Sequence, residues 1–338
     1  MFKAGTKAPS EVQTALLGNE HDCYYAIDPR SNPNLRKSLA GKNVLVTGAG
    51  RGVGRSIALF LTHASAKSLT AVALEQNEVD STIQDCKAIN PELQTKSFAL
   101  DVTDPIKVEA IVREVEASFG SIDVLVCNAG RPPQWLPTVE CDPKIWWDTV
   151  AVSLQGAFLF SRYSLPGMQK AGRGAKIIFT SSAGAHSNAG MGSYTLGKLG
   201  MVRLAEILHR ENHDFNIKAF AYNPGRVKTR FFTDFEDVVM GRGIQDGSYV
   251  VEGLAHEDKS AEIAWKALKD VTFDTPELPA GLVTALAAGK LDFMSGRYLD
   301  ASVNIDEYMR HKEAIVKQDL FRVRLKAGDD VFIPTLEY

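Results

Sequence analysis

The 338-residue chain has little of what marks a secreted, membrane-bound or nucleic-acid-binding protein. No apolar run approaches the ~18 residues needed to span a bilayer, and the first residues lack the apolar stretch of a signal peptide. The formal net charge is only −3, which argues against nucleic acid or an anionic membrane as the main partner. We therefore expect a cytoplasmic protein that acts on a small molecule.

Clusters of metal ligands and disulfide frameworks are also missing from the sequence. The four cysteines contain no Cys-x-x-Cys pair, and the seven histidines form no ligand group, so we predict no metal site. Cys86 and Cys127 lie among apolar residues, and we expect them to be buried free thiols. Free thiols are typical of a reducing compartment.

Short apolar runs alternate with helical patterns from residue 43 onward, which is typical of an α/β fold. In the helix that Asp104 and Pro105 open, for example, Val108, Ile111 and Val115 fall on one face. This alternation predicts a doubly wound parallel sheet with helices on both faces. The predicted strands are 43–47, 69–74, 97–100, 122–127, 176–180, 218–222 and 297–300, and the longer helices are 52–64, 105–119, 142–169, 194–213, 258–270, 277–288 and 304–318.

Three parts are predicted along the chain. Residues 1–40 are polar and form an N-terminal arm, interpreted as a surface extension at the domain edge. Residues 41–303 form the main domain, which includes a lid at 230–290 whose first part, 230–257, is expected to be irregular. Residues 304–338 form a C-terminal helix and tail.

A glycine-rich turn at 47–54 follows the first strand and opens a helix. Glycine lets the backbone approach a phosphate, and a helix N-terminus offers free N–H groups to an anion. The spacing is Gly48-x-x-x-Gly52-x-Gly54; the older Gly-x-Gly-x-x-Gly pattern fails at Val53. The turn predicts dinucleotide binding, with a tight packing turn as the alternative.

Polar or glycine-containing segments follow several other predicted strands. They are Asp101, 128–130, Ser181-Ser182 and Pro224-Gly225. In an open parallel sheet, ligands bind at the carboxyl ends of the strands. Each segment alone could be a turn or a cap, but together they predict a ligand site along one edge of the sheet.

Tyr194 and Lys198 lie at positions i and i+4 of a predicted helix and therefore share a face. A phenol has a pKa near ~10, and a nearby ammonium favours the phenolate and lowers that pKa. The pair is a candidate proton donor and acceptor for an alcohol/carbonyl couple. The alternative is a surface pair without function.

From about Gly41 to Asp300 these motifs, in this order, resemble the single-domain short-chain dehydrogenases/reductases. The resemblance implies a Rossmann-type sheet of about seven parallel strands and an NAD(P)-dependent oxidoreductase that interconverts a ketone and a secondary alcohol. It also implies that Tyr194 is the general acid/base, that Lys198 binds the nicotinamide ribose, and that a serine holds the substrate oxygen. Members of the family usually form symmetric dimers or tetramers.

The resemblance also implies a set of cofactor-binding residues. Within it, Asp101 would meet the adenine, Asn128 would help to hold the cofactor and the central strand, and Thr229 would reach the nicotinamide amide. The full set is Gly48, Gly50, Arg51, Gly52, Val53, Gly54, Glu75, Asp101, Val102, Asn128, Ala129, Gly130, Tyr194, Lys198, Pro224, Gly225, Val227 and Thr229.

The chain departs from the family pattern at two places. Ser153 stands where the family usually carries an asparagine that takes part in a proton relay through Lys198, so we expect reduced rather than absent turnover. The catalytic serine is Ser182 by strand register but Ser181 by distance to Tyr194; we prefer Ser182.

Cofactor choice is indicated by two residues that disagree. Arg51, just before the second motif glycine, favours the 2′-phosphate of NADP, as basic residues there do in this family. Glu75, after the second strand, could bind a free ribose diol and favour NAD. We prefer NADP, with NAD possible.

The substrate is predicted only by class. Aromatic and proline residues in the loop 131–135 and in the lid at Phe231-Phe232 favour a mainly apolar small molecule. His186 could touch the substrate, while Trp146 and Trp147 are interpreted as helix packing or interface. The arms resemble those of family members in natural-product pathways. The alternatives are a dehydratase, isomerase or cyclase on the same fold, or a cofactor-binding protein with little redox turnover.

Overall fold

Seven parallel strands form one sheet. The computed structural model describes residues 18–186, 189–251, 254, 257–328 and 331–332. The strands are β1 Asn43–Thr47, β2 Ser68–Ala73, β3 Gln94–Ala99, β4 Val124–Cys127, β5 Lys176–Thr180, β6 Lys218–Asn223 and β7 Tyr298–Asp300. Their order across the sheet is β3-β2-β1-β4-β5-β6-β7. The predicted doubly wound sheet is confirmed, and the strand order reverses between β1 and β4, where such sheets bind ligands.

Helices cover both faces of the sheet and create two apolar cores. Successive side chains of a strand point to opposite faces, so Val44 and Val46 of β1 pack in the first core while Leu45 packs in the second. The main helices are Gly52–His63, Gln76–Ile89, Pro105–Phe119, Pro143–Val150, Gly156–Ala171, Gly192–Glu211, Arg230–Val239, Glu257–Leu268, Glu277–Ala287, Ile305–Arg310 and Lys312–Lys317.

The helix Pro105–Phe119 begins as its sequence predicts. The Asp104 carboxylate accepts hydrogen bonds from the amides of Ile106 and Lys107, each at 3.1 Å. Pro105 occupies the first turn, where no intrahelical donor is lost. The buried free thiols are also confirmed, because Cys86 and Cys127 are buried and form no disulfide.

The lid differs from its prediction. The expected irregular segment at 230–257 is wrong for its first ten residues, which form the helix Arg230–Val239. Thr229 caps this helix, and Phe232 and Phe235 give it a buried face at i, i+3 spacing. Positions 252–253 and 255–256 of this segment lie outside the described residues.

Two predicted helices are interrupted. The long stretch at 142–169 contains a π turn, Ala151–Gln155, between its two α-helical parts. The single helix expected at 304–318 is two short helices that meet at His311. A small antiparallel pair, Lys326–Gly328 with Val331–Phe332, follows them and was not predicted.

The described part of the N-terminal arm enters the core. Ile27 and Leu39 are both 0% exposed and belong to the first core cluster. The arm therefore contributes to the core as well as covering the domain edge. Residues 1–17 and 333–338 lie outside the described residues. Among the described residues, no helix is both long and apolar enough to cross a membrane.

Candidate active site

The glycine turn forms a close cradle between β1 and the helix Gly52–His63. A β-carbon on Gly54 would lie 2.0 Å from the Gly48 carbonyl oxygen and 2.5 Å from Asn128 Nδ2, so only glycine fits there. Gly48 itself has φ +65, a conformation that glycine adopts at little cost. The helix Gly52–His63 begins at this cradle, and the unpaired amides of a helix N-terminus suit a pyrophosphate, so the residues present fit a dinucleotide.

Asn128 and Thr47 join the ends of the two central strands. Asn128 Nδ2 donates to the Gly48 carbonyl at 3.2 Å. The Thr47 hydroxyl accepts hydrogen bonds from the amides of Asn128 and Ala129, at 3.0 and 3.1 Å. The sequence prediction missed this role of Thr47, although a polar residue that ends an apolar strand was a usable signal.

Lys198 is buried beside Tyr194. Only 2% of Lys198 is exposed, and its Nζ donates to the Thr180 carbonyl at 2.7 Å. The same nitrogen lies 5.5 Å from the centre of the Tyr194 ring and 3.2 Å from where a β-carbon on Gly130 would be. Burial lowers the pKa of Lys198 from 10.5 to about 8.

The expected lowering of the Tyr194 pKa is wrong for this structure. Burial raises the pKa of the Tyr194 phenol, and a hydrogen bond with Ser182 lowers it in part. The reason is that removal of the phenol from water disfavours the phenolate, while the Lys198 ammonium is directed at the Thr180 carbonyl.

The two serines after β5 have different surroundings. The Ser181 hydroxyl is buried and donates to the Lys198 carbonyl at 2.9 Å. The Ser182 hydroxyl accepts from the Gly184 amide at 2.9 Å and is hydrogen-bonded with Tyr194. The strand register therefore selected the serine that lies at the tyrosine.

Ser153 lies in the π turn and faces the helix of Tyr194 and Lys198. It is 1% exposed, and its hydroxyl has no hydrogen-bond partner within the described part of the chain. Its β-carbon is 3.2 Å from where a β-carbon on Gly197 would be. A π turn often marks a functional position, but no pattern in the sequence predicted one here.

Two further segments of the predicted set meet the edge of the sheet. The Thr229 methyl group lies 3.0 Å from where a β-carbon on Gly52 would be, so the end of segment 224–229 touches the glycine turn. Asp101 is exposed and accepts from the Thr103 amide at 2.9 Å. Val102, beside it, is buried against Gly156.

Arg51 is held by two residues that the sequence prediction missed. Its guanidinium pairs with Glu78 at 2.9 Å and lies 5.6 Å from the ring centre of Tyr249, with which it is also hydrogen-bonded. Glu75 is exposed at the cap position of the helix Gln76–Ile89 and makes no capping hydrogen bond. Val53 packs against the first core.

A space lined by apolar and polar residues lies between the loop after β4 and the lid. A cavity of about 220 Å³ opens there, and Tyr249 is among the residues that border it. The Phe231 ring packs edge-on against Tyr249, with ring centres 5.0 Å apart, and approaches Gly130. The lining is mixed: apolar side chains form one part of it, and the charged residues Arg131, Glu140 and Asp142 form another. The apolar part includes Pro132, Pro133, Leu136, Ile145, Phe235 and Val250.

His186 packs edge-on against Tyr298, with ring centres 5.4 Å apart. Burial raises the pKa of Tyr298, and Asp300 and Tyr194 raise it further. Tyr298 therefore lies near the candidate acid/base, and the sequence prediction did not include it. Among the described residues, no group of three or more histidine, cysteine or acidic side chains could hold a metal ion.

Comparisons with known proteins agree with this geometry. The family model for short chain dehydrogenases matches residues 42–238. A short chain dehydrogenase of Monascus purpureus is 34% identical over 289 residues, which cover 84% of this chain and 89% of that protein. A 3-oxoacyl-[acyl-carrier-protein] reductase of Salmonella typhimurium is 33% identical over 57% of this chain and 76% of that protein.

Solved structures show the same fold. A carveol dehydrogenase from Mycobacterium avium, solved in complex with NAD, superposes with a TM-score of 0.66 at 22% identity, over 79% of this chain and 99% of that one. The chain belongs to the short-chain dehydrogenases. The predictions of this family, of its sheet, and of an oxidoreductase acting on CH–OH groups with NAD(P) are confirmed.

Proposed function

We propose that the protein interconverts a ketone and a secondary alcohol on a mainly apolar small molecule, with NADP as the preferred cofactor. One observation carries this proposal. Ser182, Tyr194 and Lys198 form a single cluster that meets the glycine cradle through Gly130 and Asn128.

The proposed chemistry needs one hydride and one proton. A bound nicotinamide supplies the hydride to the carbonyl carbon or accepts it in reverse. Tyr194 donates its phenolic proton to the carbonyl oxygen and takes it back from the alcohol in the opposite direction. The Ser182 hydroxyl, hydrogen-bonded with Tyr194, holds the same oxygen.

Lys198 has two tasks in this scheme. We propose that its Nζ, 5.5 Å from the Tyr194 ring centre, offsets part of the rise that burial causes in the Tyr194 pKa whenever the lysine carries its proton. It also binds the nicotinamide ribose when the cofactor is present. Ser153 completes the set as a replacement for the family's asparagine, and its single hydroxyl supports a slower proton relay.

The cofactor set predicted from the sequence is proposed unchanged, with two additions. Thr47 holds the ends of β1 and β4 together through Asn128 and Ala129. Glu78 holds Arg51. Arg51 supports binding of a 2′-phosphate, whereas the carboxylates of Glu75 and Glu78 oppose it, so NAD remains the second cofactor of the proposal.

The apolar part of the cavity beside the lid supports a mainly apolar substrate. The 3-oxoacyl reductase among the relatives supports a keto group as the reacting centre. We propose that the lid at 230–290 covers this site. We also propose that the resemblance of the chain's arms to those of natural-product enzymes extends to the substrate.

We also propose a cytoplasmic dimer or tetramer. Trp147 is 64% exposed and Phe158 is 49% exposed, and both project from the long helical stretch that flanks the site. Aromatic side chains of this kind are enriched at protein interfaces. Sedimentation velocity of the purified protein measures the assembly directly.

A second candidate is a family fold without redox turnover, either a dehydratase, isomerase or cyclase, or a protein that only binds the cofactor. The observation in its favour is the buried, unpartnered Ser153 hydroxyl, because it replaces a relay residue. The intact cluster of Ser182, Tyr194 and Lys198 favours the oxidoreductase.

The experiment offers NADPH and NADH, each with a panel of cyclic and linear ketones, and follows the absorbance of the reduced cofactor. The proposal predicts oxidation with apolar ketones and faster turnover with NADPH. Tight binding of both cofactors without oxidation by any ketone would favour the second candidate.

A further inference from the structure

Asp274 holds the backbone of the segment that follows β6. Its side chain is 6% exposed, and its Oδ2 accepts a hydrogen bond from the Arg226 amide at 2.6 Å. Its own amide donates to the Arg226 carbonyl at 2.9 Å, and a parallel bridge links it to Val227. Asp274 is therefore bonded to both sides of Arg226.

The contact reaches the turn itself because Gly225 has no side chain. Gly225 has φ +86, and a β-carbon there would lie 2.4 Å from Asp274 Oδ2. Any other residue at 225 would displace the carboxylate. Gly225, which the sequence analysis assigns to the cofactor site, therefore also leaves the space that the Asp274 carboxylate needs to hold this segment.

The N-terminal arm binds the second oxygen of the same carboxylate. His21 Nδ1 lies 2.6 Å from Asp274 Oδ1, and with an ionised carboxylate this nitrogen carries the hydrogen. The His21 carbonyl accepts from the Thr275 amide at 3.0 Å. The Asp22 carboxylate accepts from the Thr275 hydroxyl at 2.5 Å.

The arm is fixed on both sides of His21. The amides of Asn19 and Glu20 both donate to the Ser302 carbonyl at 2.8 Å. The Tyr24 hydroxyl accepts from the Ile305 amide at 2.8 Å, and Ile27 is 0% exposed. His21 is therefore presented to Asp274 by anchored backbone.

A buried carboxylate needs partners, because an ionised group out of water is costly without them. Asp274 uses one oxygen for Arg226 and the other for His21. If the His21 side chain is removed, water enters from its exposed side and binds Asp274 Oδ1. The carboxylate can then rotate away from the Arg226 amide.

We propose that the N-terminal arm is a positioning element of the cofactor site. His21 orients Asp274, and Asp274 holds segment 224–229 in the conformation that receives the nicotinamide half of the cofactor. The inference rests on the proposed function for the assignment of this segment to the nicotinamide. His21 and Asp274 are positioning residues and touch no reacting atom.

The test compares three variants of the full chain. His21→Ala removes the contact with Asp274, and His21→Asn restores a short side chain with an N–H donor. Glu20→Ala is the matched control, because it breaks a different contact of the arm, the one that its carboxylate makes with Asn304.

Two ligands are titrated by calorimetry: NADPH, and 2′-phospho-ADP-ribose, which lacks the nicotinamide. For His21→Ala we expect the Kd of NADPH to rise about tenfold, the effect of one hydrogen bond to a charged group. The Kd of the fragment is expected to stay within about twofold. His21→Asn recovers most of the NADPH affinity, and Glu20→Ala leaves both constants unchanged.

Hydrogen exchange of the peptide 224–229, measured by mass spectrometry without cofactor, tests the contact between His21 and Asp274 independently of cofactor binding. We expect faster exchange in His21→Ala than in the wild-type protein or in Glu20→Ala. Unchanged exchange would overturn the inference, and so would an equal loss of affinity for both ligands. If the wild-type protein binds neither NADPH nor 2′-phospho-ADP-ribose, the proposed function fails. The inference then fails with it, even if exchange is faster in His21→Ala.

Discussion

Ser153 lies against Gly197, the residue before Lys198. The Ser153 β-carbon is 3.2 Å from where a β-carbon on Gly197 would be, and its hydroxyl oxygen is 3.6 Å from that point. This hydroxyl has no hydrogen-bond partner among the described residues. The π turn thus presents one buried, unpaired hydroxyl to the helix that carries the candidate acid/base.

The first prediction concerns this hydroxyl. We expect Ser153→Ala to lower kcat about tenfold, less than the ~100-fold or more of a directly acting proton donor. The free energy of unfolding should stay equal or rise, because a buried unpaired hydroxyl costs about 1–3 kcal/mol. Steady-state kinetics and urea unfolding measure the two effects.

Ser164 is the matched control for Ser153, since it is also fully buried and its hydroxyl also lacks a partner within the described residues. Ser164→Ala should change stability in the same direction and leave kcat unchanged. Ser153→Asn, which restores the family's residue, is expected to raise kcat. An unchanged kcat in both Ser153 variants would remove this serine from the mechanism.

The second prediction concerns Glu78, which pairs with Arg51 at 2.9 Å. We expect Glu78→Gln to lower the Kd of NADPH about fivefold, since a surface charge interaction is worth about 1 kcal/mol. The Kd of NADH should not change, because NADH has no 2′-phosphate. Fluorescence titration of the wild-type protein and of Glu78→Gln with NADPH and with NADH measures these dissociation constants.

Asp85→Asn is the control for Glu78→Gln. Asp85 lies on the same helix and pairs with Arg55 in the same way, at 2.5 Å, but outside the glycine turn. It should alter neither Kd. Tighter binding of both cofactors by Glu78→Gln would mean that Arg51 does not read the 2′-phosphate.

The third prediction uses the pKa of Lys198, which burial lowers from 10.5 to about 8. Between these pH values the unfolded chain binds more protons at this lysine than the folded chain does. The lysine's contribution to the free energy of unfolding therefore rises with pH across this window. Across the whole window, the free energy of unfolding gains about 3 kcal/mol from this lysine, because one pKa unit is about 1.4 kcal/mol.

Lys198→Met isolates this contribution, because all other groups titrate alike in both proteins. Urea unfolding at several pH values should show the wild-type protein gaining stability relative to the variant from about pH 8 upward. The gain should end near pH 10.5, the usual pKa of lysine. A difference that stays constant with pH would contradict the lowered pKa.

The fourth prediction concerns the lid. Phe231 packs against Tyr249 and approaches Gly130, so it borders the proposed substrate space. We expect Phe231→Ala to raise the KM for an apolar ketone about tenfold, with a small effect on kcat, since removal of a large apolar side chain costs about 1.5–3 kcal/mol of contact. Phe215→Ala is the control, because Phe215 is an exposed aromatic residue that lies just before the start of β6 and not after the end of a strand. This variant should leave KM and kcat unchanged. A fall in kcat alone would place Phe231 outside the substrate contact.

The sequence was sufficient for the features that depend on neighbours along the chain. Apolar runs predicted the strands, because buried parallel strands need them. The order of Gly48, Asn128 and Tyr194 along the chain predicted which strand ends meet, since the family's topology fixes that order. Strand register also favoured Ser182, which the structure places beside Tyr194.

The features that the sequence did not predict depend on contacts between residues that are far apart along the chain. His21 and Asp274 are 253 positions apart, and no local pattern pairs them. Glu78 approaches Arg51 only because the helix Gln76–Ile89 packs beside the glycine turn. The π turn at Ser153 and the raised pKa of Tyr194 likewise arise from packing.

The most direct test of the account is Tyr194→Phe, assayed for oxidation of NADPH with an apolar ketone that the wild-type protein reduces. The variant keeps the ring and loses only the phenolic hydroxyl, which carries the proton. We predict a fall in kcat of about 100-fold or more, with a Kd for NADPH within about twofold of the wild-type value. Retained turnover with equal cofactor affinity would contradict Tyr194 as the general acid/base.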